Sequence, residues 1–214
     1  LRDTKMATFF IFALLLGAAL QLTNAYGDTF LHDLSKTMET SPSLISEGAT
    51  GWDTFNKVIS ALVSHPANTL SNLAARYPAI IMSISQISET LFILAIPFFL
   101  RRFGIKQVMF FSMLAWVLRF GLFAFGNLES GLWMIILSCI VYGMAFDFFN
   151  ISGSLFVETQ TSPSIRASAQ GLFMMMTNGF GAVLGSSVSG IVIEKYFTYA
   201  DQSKNWPGIW TAFA

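Results

Sequence analysis

Five apolar runs, each long enough to cross a lipid bilayer, dominate the 214-residue sequence. An α-helix needs about 20 consecutive apolar residues to span the hydrocarbon core. The sequence therefore predicts an all-α integral membrane chain. The runs occupy roughly 6–27, within a predicted helix over 1–27, then 79–100, 107–126, 132–157 and 167–193, and the start of a sixth occupies 207–214.

The composition agrees with a membrane chain and argues against several other classes of protein. Only 11% of the residues are charged, whereas soluble domains carry about 25%. The net charge is zero, so no positive field attracts nucleic acid. The single cysteine, Cys139, and the two histidines, His32 and His65, predict neither a disulfide framework nor a metal site. The sequence has no P-loop, GxSxG or HExxH motif, so it does not indicate an enzyme.

Basic residues in the short connections predict the orientation in the membrane. They lie before the first run, between the second and third runs, and before the fifth run, which places them all on one side. Because cytoplasmic loops are rich in Lys and Arg, this side is predicted to be cytoplasmic. The opposite turn, 127–131, contains Glu129 and no positive charge. The basic residues are Arg2, Lys5, Arg101, Arg102, Lys106 and Arg166.

The segment 28–78 is too polar to span the membrane and is predicted to be an extracellular or periplasmic loop. Apolar residues recur within it at helical spacing, which predicts a short amphipathic helix closed by Pro66. Such a helix could lie on the membrane surface, cap the protein, or pack against another extracellular loop. Its apolar residues are Trp52, Phe55, Ile59, Leu62 and Val63.

Polar side chains within the apolar runs are the candidate functional residues, because polar groups at membrane depth are costly unless they face protein or water. Amides can bind a sugar hydroxyl or a nucleobase edge, and aromatic rings can stack on a base. A carboxylate held away from water takes up a proton more readily than one in solution. The residues are Gln21 and Asn24 in the first run, Gln86 and Glu89 in the second, and Tyr142, Phe146, Asp147 and Asn150 in the fourth.

The same polar groups have a structural interpretation, since amides and hydroxyls often join helices within a membrane bundle. Arg119 in the third run is a candidate structural partner for Asp147. Glu158 and Arg166 flank the turn between the fourth and fifth runs, where ion pairs, also with Arg101 or Arg102, could hold a gate.

Small residues recur every four positions in the fifth run, at Gly181, Gly185 and Ser189. This spacing places them on one helical face and predicts close packing against another helix.

The order of the runs suggests an internal repeat. Major facilitator transporters contain inverted three-helix repeats nested within each six-helix half. If the runs are helices 7–11 and the start of helix 12, the first and fourth runs begin the two repeats of the C-terminal half. The polar residues of these two runs then fall on corresponding helices, as a site at the membrane midplane requires.

Four segments of the sequence resemble the nucleoside:H+ symporter family of the major facilitator superfamily. They cover nearly all of the membrane part of the chain. The segments are FFIFALLLGAALQLTNAYGDTFLH (9–32), IIMSISQISETLFILAIPFFLRRFGIK (80–106), IVYGMAFDFFNISGSLFVE (140–158) and SPSIRASAQGLFMMMTNGFG (162–181).

The resemblance implies uptake of purine and pyrimidine nucleosides with protons across the bacterial inner membrane, with no cofactor besides the proton. It also implies that Asp147 and Glu89 are candidates for proton coupling. A missing N-terminal six-helix half would supply the rest of the site, and both ends of the chain look cut. The segment 34–76 is longer than expected for the family. The implied nucleoside-binding residues are Gln21, Asn24, Gln86, Glu89, Tyr142 and Phe146.

Two other functions fit the residues. Amides and aromatic rings also suit sugars, so a major facilitator carrier for a sugar or oligosaccharide is one alternative. A membrane sensor that binds nucleosides without transporting them is the other.

Overall fold

The computed structural model describes residues 4–36, 51–65, 69, 77–128 and 131–214. Three residues named in the sequence analysis lie outside this part of the chain: Arg2, Pro66 and Glu129. The described helices are α1 (Thr4–Lys36), α2 (Gly51–Ser64), α3 (Pro78–Phe125), α4 (Leu132–Gln160), α5 (Arg166–Met174), a π-helical segment (Met175–Gly181), α6 (Ala182–Tyr196) and α7 (Trp206–Phe213).

Helices long and apolar enough to cross a membrane account for most of the described chain. The four candidates are Thr4–Leu34, Ala79–Phe125, Leu132–Gln160 and Arg166–Tyr196. The second candidate is long enough for two crossings, at 47 residues, since about 20 suffice for one.

Helix α1 continues to Lys36, past the boundary at 27 expected from hydropathy. The extra turns are stabilised by packing that a hydropathy pattern does not reveal. Phe30 and Leu31 are fully buried, and the Phe30 ring lies 5.3 Å from that of Phe123 and 5.4 Å from that of Trp210. The start of the predicted loop is therefore helical.

A single glycine divides α3 into two antiparallel arms, 78–103 and 105–125. Gly104 has φ 78° and ψ 166°, a conformation with positive φ that side chains other than glycine rarely adopt. The basic connection expected at 101–106 is therefore little more than this one break. Arg101, Arg102 and Lys106 are exposed around it.

Helix α4 packs along both arms of α3 and forms the centre of the bundle. The Ser112 hydroxyl donates to the Ala145 carbonyl at 2.6 Å, and the Ser88 hydroxyl donates to the Ile140 carbonyl. These bonds link α4 to the second arm and to the first arm, respectively. The position of α4 relative to α3 is thus set by polar contacts as well as by apolar packing.

The small residues of the fifth run pack closely against α1, which confirms that prediction. A Cβ atom added to Gly185 would lie 2.5 Å from the Ala18 carbonyl oxygen. One added to Gly17 would lie 2.1 Å from the Thr177 carbonyl oxygen, in the π-helical segment. Glycine therefore allows backbone-to-backbone contact between α1 and the continuous rod 166–196.

The short helix α7 packs against the second arm of α3 and the outer end of α1. Asn205 caps it by accepting a hydrogen bond from the Gly208 amide at 3.1 Å. Trp206 and Trp210 are buried, and Trp210 stacks on Phe120 at 5.9 Å. These aromatic contacts close one end of the bundle.

The predicted amphipathic helix is present as α2. Trp52, Ile59 and Val63 on its apolar face are exposed, at 70%, 43% and 80%. The side chains of Phe55 and Leu62 lie outside the described part of the chain. What this face contacts, the membrane surface or another part of the protein, stays a prediction.

Candidate functional site

A polar cleft of about 390 Å³ opens between α1, both arms of α3 and α4. Its size falls within the range of small-molecule sites, about 300–1,000 Å³. Three residues singled out from the sequence, Asn24, Gln86 and Tyr142, line it together although they come from three different helices. The remaining lining residues are Asp28, Ala79, Met82, Ser83, Ser85 and Arg119.

Glu89 lies one turn beyond Gln86 on the first arm of α3 and is half-buried. Its carboxylate interacts with the Tyr142 hydroxyl and with the charge of Arg119. Helical spacing alone predicts that Gln86 and Glu89 share a face. The structure adds that this face meets α4 at Tyr142.

Tyr142 and Phe146 form a continuous aromatic surface on α4. Their rings are stacked with centroids 5.7 Å apart and planes 12° apart. Tyr142 is buried and Phe146 is half-buried. The spacing of four residues predicts a shared face, and the stacking confirms that the two rings present one surface.

Gln21 and Asn150 lie apart from the lining of the cleft. Gln21 is half-buried on α1, one turn before Asn24. Asn150 donates its side-chain amide to the Phe146 carbonyl in its own helix, at 2.9 Å. Asn150 therefore has a local partner that the sequence pattern did not reveal.

Asp147 is buried on α4, and its Oδ2 atom has no hydrogen-bond partner among the described residues. The expected pairing with Arg119 is wrong, because the ion pairs of the described chain do not include one between these two residues. Helix geometry explains why. Arg119 contacts Ser138 and Tyr142, and Asp147 lies five residues after Tyr142, about 140° around the helix.

Arg119 is instead held by Ser138, Phe123 and Tyr142, of which the sequence singled out only Tyr142. It is only 1% exposed, and its Nη1 atom donates to the Ser138 carbonyl at 2.8 Å. The guanidinium carbon lies 4.3 Å from the centre of the Tyr142 ring and 4.9 Å from that of Phe123. The one available signal was an arginine within an otherwise apolar run.

A glycine that the sequence reasoning missed brings the first arm of α3 close to α4. A Cβ atom added to Gly143 would lie 2.5 Å from Ser88 Oγ and 2.7 Å from the Glu89 backbone nitrogen. This close approach places Glu89 beside Tyr142. A glycine inside an apolar run carries no sequence signal that identifies the helix it will meet.

Among the described residues, Arg166 and Glu158 form an ion pair at the predicted cytoplasmic end. Arg166 Nη1 lies 3.2 Å from Glu158 Oε1, with both side chains partly exposed. Arg101 and Arg102 lie exposed near Gly104, and neither pairs with Glu158 within the described residues. The pair therefore bridges only the turn between α4 and α5.

The described residues contain no group of three or more His, Cys, Asp or Glu side chains placed to hold a metal ion. The chemistry available at the cleft is thus hydrogen bonding, aromatic stacking and charge.

The helices match those of a solved membrane transporter. The chain is similar to the crystal structure of the nucleoside transporter NupG, with a TM-score of 0.77 and 50% identity over 99% of this chain and 45% of that chain. Its fold is that of the C-terminal half of a major facilitator transporter.

Sequence comparison identifies the family. The family model described as nucleoside H+ symporter matches residues 1–214, and the chain belongs to this family. It is 50% identical to the nucleoside permease NupG of Escherichia coli K12 and 48% identical to the xanthosine permease of the same organism, over all of its 214 residues. It spans 44% of the length of each of these relatives.

Proposed function

We propose that this chain forms the C-terminal half of a transporter that imports nucleosides together with protons across the bacterial inner membrane. The observation that carries the proposal is the convergence of Asn24, Gln86 and Tyr142 on one cleft, with Glu89 beside Tyr142. An N-terminal six-helix half, as in the longer relatives, completes the site. The spans are helices 7–11 and the start of helix 12.

The groups around the cleft match the parts of a nucleoside. Asn24 and Gln86 offer amide donors and acceptors for ribose hydroxyls or base edges, and Gln21 extends this set along α1. The Tyr142 and Phe146 rings offer apolar aromatic contacts for the base. A nucleoside combines these two chemistries, whereas a sugar uses mainly the first.

Two carboxylates supply the proton-coupling chemistry. Glu89 lies at the helix crossing beside Tyr142, so substrate binding at this ring and protonation of the Glu89 carboxylate influence one another. Asp147 is buried on α4, and its Oδ2 atom has no hydrogen-bond partner among the described residues, so it can bind a proton without breaking an ion pair. The proton binds a carboxylate while the site is open to the outside, and it leaves that carboxylate when the site opens to the cytoplasm.

Alternating access follows from movement of the two halves around the site. Helices α1 and α4 begin the two repeats of this half, and both line the cleft. The ion pair between Glu158 and Arg166 lies at the predicted cytoplasmic end. This ion pair can break when the cytoplasmic end opens, so it forms part of the inner gate.

The test is uptake of labelled uridine by the full-length protein in proteoliposomes, with and without an imposed proton gradient. Uridine should accumulate only with the gradient, and unlabelled nucleosides should compete whereas sugars should not. Counterflow of labelled uridine without a gradient separates transport from binding alone. Absence of both accumulation and counterflow, relative to protein-free liposomes, would refute the proposal.

A further inference from the structure

An arginine with no acidic ion-pair partner within 4 Å among the described residues lies at the centre of the membrane bundle. Arg119 is 1% exposed, although a charge at membrane depth is costly unless protein groups compensate for it. The most direct compensation would be an ion pair with Asp147, but no such pair forms. The contacts that Arg119 does make therefore indicate what it contributes.

Reciprocal hydrogen bonds fix Arg119 to α4. Its Nη1 atom donates to the Ser138 carbonyl at 2.8 Å, and the Ser138 hydroxyl donates to the Arg119 carbonyl at 3.0 Å. One bond holds the guanidinium and the other holds the backbone that carries it. The guanidinium thus has a defined position relative to α4, one turn before Tyr142.

That position places the guanidinium between two aromatic rings. Its carbon lies 4.3 Å from the centre of the Tyr142 ring on one side and 4.9 Å from that of Phe123 on the other. Trp116 meets the Tyr142 ring edge-on, with centroids 5.9 Å apart and planes at 90°. The guanidinium and Trp116 together restrict the Tyr142 ring to one orientation.

The Glu89 backbone meets α4 at Gly143, next to Tyr142, so the positive charge of Arg119 also acts on the Glu89 carboxylate. Among the residues that line the cleft, Arg119 is the one with a positive charge. It therefore acts on two binding groups that come from different helices, a ring on α4 and a carboxylate on the first arm of α3.

We infer that Arg119 is a positioning residue for nucleoside binding, which holds the Tyr142 ring and the Glu89 carboxylate in the arrangement that receives the substrate. This inference rests on the proposed function and deepens it. Although Arg119 lies in the wall of the cleft, it is 1% exposed, so it acts on the nucleoside through Tyr142 and Glu89. A purely structural arginine would stabilise the bundle without affecting substrate affinity.

The test compares Arg119→Gln and Arg119→Lys with the wild type in the full-length transporter. Lysine keeps the charge but loses the planar group that bonds Ser138 and stacks on Tyr142. We expect Arg119→Gln to raise the KM for uridine on the order of tenfold, since a desolvated cation–ring contact and a charge attraction are both lost. Arg119→Lys should raise the KM by less, because the attraction on Glu89 remains.

Phe173→Leu is the matched control, because Phe173 is also fully buried but packs on Phe9 and Phe149, away from the Tyr142 ring. It should lower the melting temperature and the amount of folded transporter while leaving the KM for uridine unchanged. The KM and the amount of folded protein therefore separate positioning from packing.

Each result decides the matter. A raised KM in both Arg119 variants, with the KM of Phe173→Leu unchanged, supports the inference. A wild-type KM in both Arg119 variants overturns it, whatever happens to the maximal rate. If neither variant is recovered in folded form, Arg119 serves the fold and the inference fails. If the wild type neither binds nor transports uridine, the proposed function itself has failed.

Discussion

Gly143 and Ser88 meet where α4 crosses the first arm of α3, with no room for a side chain between them. A Cβ atom added to Gly143 would lie 2.5 Å from Ser88 Oγ and 2.6 Å from the Ser88 carbonyl carbon. The Ser88 hydroxyl donates to the Ile140 carbonyl at the same crossing. The distance between these two helices, and with it the position of Glu89, therefore depends on glycine at position 143, because even the methyl group of alanine would not fit.

Replacing Gly143 with alanine should separate the two helices and weaken uridine binding. The new methyl group meets backbone atoms, which cannot rotate away, so the cost should be about 1–3 kcal/mol of stability. Because the separation moves Glu89 away from Tyr142, the KM for uridine should rise as well. Thermal unfolding and uptake kinetics of the full-length protein measure the two effects.

Gly121→Ala provides the comparison, since a Cβ atom at Gly121 meets nothing within 4 Å. This change should be neutral or stabilise the helix by up to about 1 kcal/mol. If Gly143→Ala and Gly121→Ala have the same stability and the same KM for uridine, then α4 and the first arm of α3 are not tightly packed at Gly143.

The sequence was sufficient to predict the class of fold and the helical faces on which several candidate residues lie. Long apolar runs require spanning helices, and the spacing of Gln86 with Glu89, and of Tyr142 with Phe146, places each pair on one face. These local relationships depend only on helix geometry. The comparison with the family confirmed the resemblance read from the four segments.

The sequence could not show which helical faces pack against each other. Arg119 was expected to pair with Asp147, but the rotation of α4 directs Ser138 and Tyr142 towards it instead. The outer end of α1 was expected to be loop, but burial of Phe30 against the aromatic residues of α7 keeps it helical. Both outcomes depend on contacts between residues far apart in the chain, which spacing within one run does not encode.

Breaking the ion pair between Glu158 and Arg166 should change transport more than stability. The two side chains are 48% and 41% exposed, and exposed ion pairs contribute only about 0–1 kcal/mol. If the pair belongs to the inner gate, Arg166→Gln should alter the rate of uridine counterflow while the melting temperature changes little.

The charge-reversed double variant, Glu158→Arg with Arg166→Glu, tests whether the pair itself matters. It should restore the wild-type rate of counterflow, because the attraction is re-formed with opposite polarity. If the rate of counterflow in the double variant differs from the wild-type rate as much as that of Arg166→Gln does, the ion pair is not part of the gate.

Glutamine at position 89 should abolish or greatly reduce proton-driven accumulation of uridine. It preserves the size of Glu89 and its ability to bond the Tyr142 hydroxyl, but it cannot bind and release a proton. Uptake with an imposed proton gradient measures the effect. Glu194→Gln is the control, because Glu194 is an exposed carboxylate on α6 and should not affect accumulation. Full gradient-driven accumulation in Glu89→Gln would show that Glu89 takes part in neither proton coupling nor nucleoside binding.

Asparagine at position 147 should reduce coupling without destabilising the fold. Asp147 is buried, its Oδ2 atom has no hydrogen-bond partner, and the ion pairs of the described residues do not include it. Removing one member of a buried ion pair costs about 3–5 kcal/mol, whereas neutralising an unpaired carboxylate removes an unfavourable charge. The melting temperature should therefore stay the same or rise, while uridine accumulation driven by the gradient falls and counterflow persists. A loss of stability as large as that of a broken buried pair would show that Asp147 holds the helices together, and unchanged accumulation would exclude it from proton transfer.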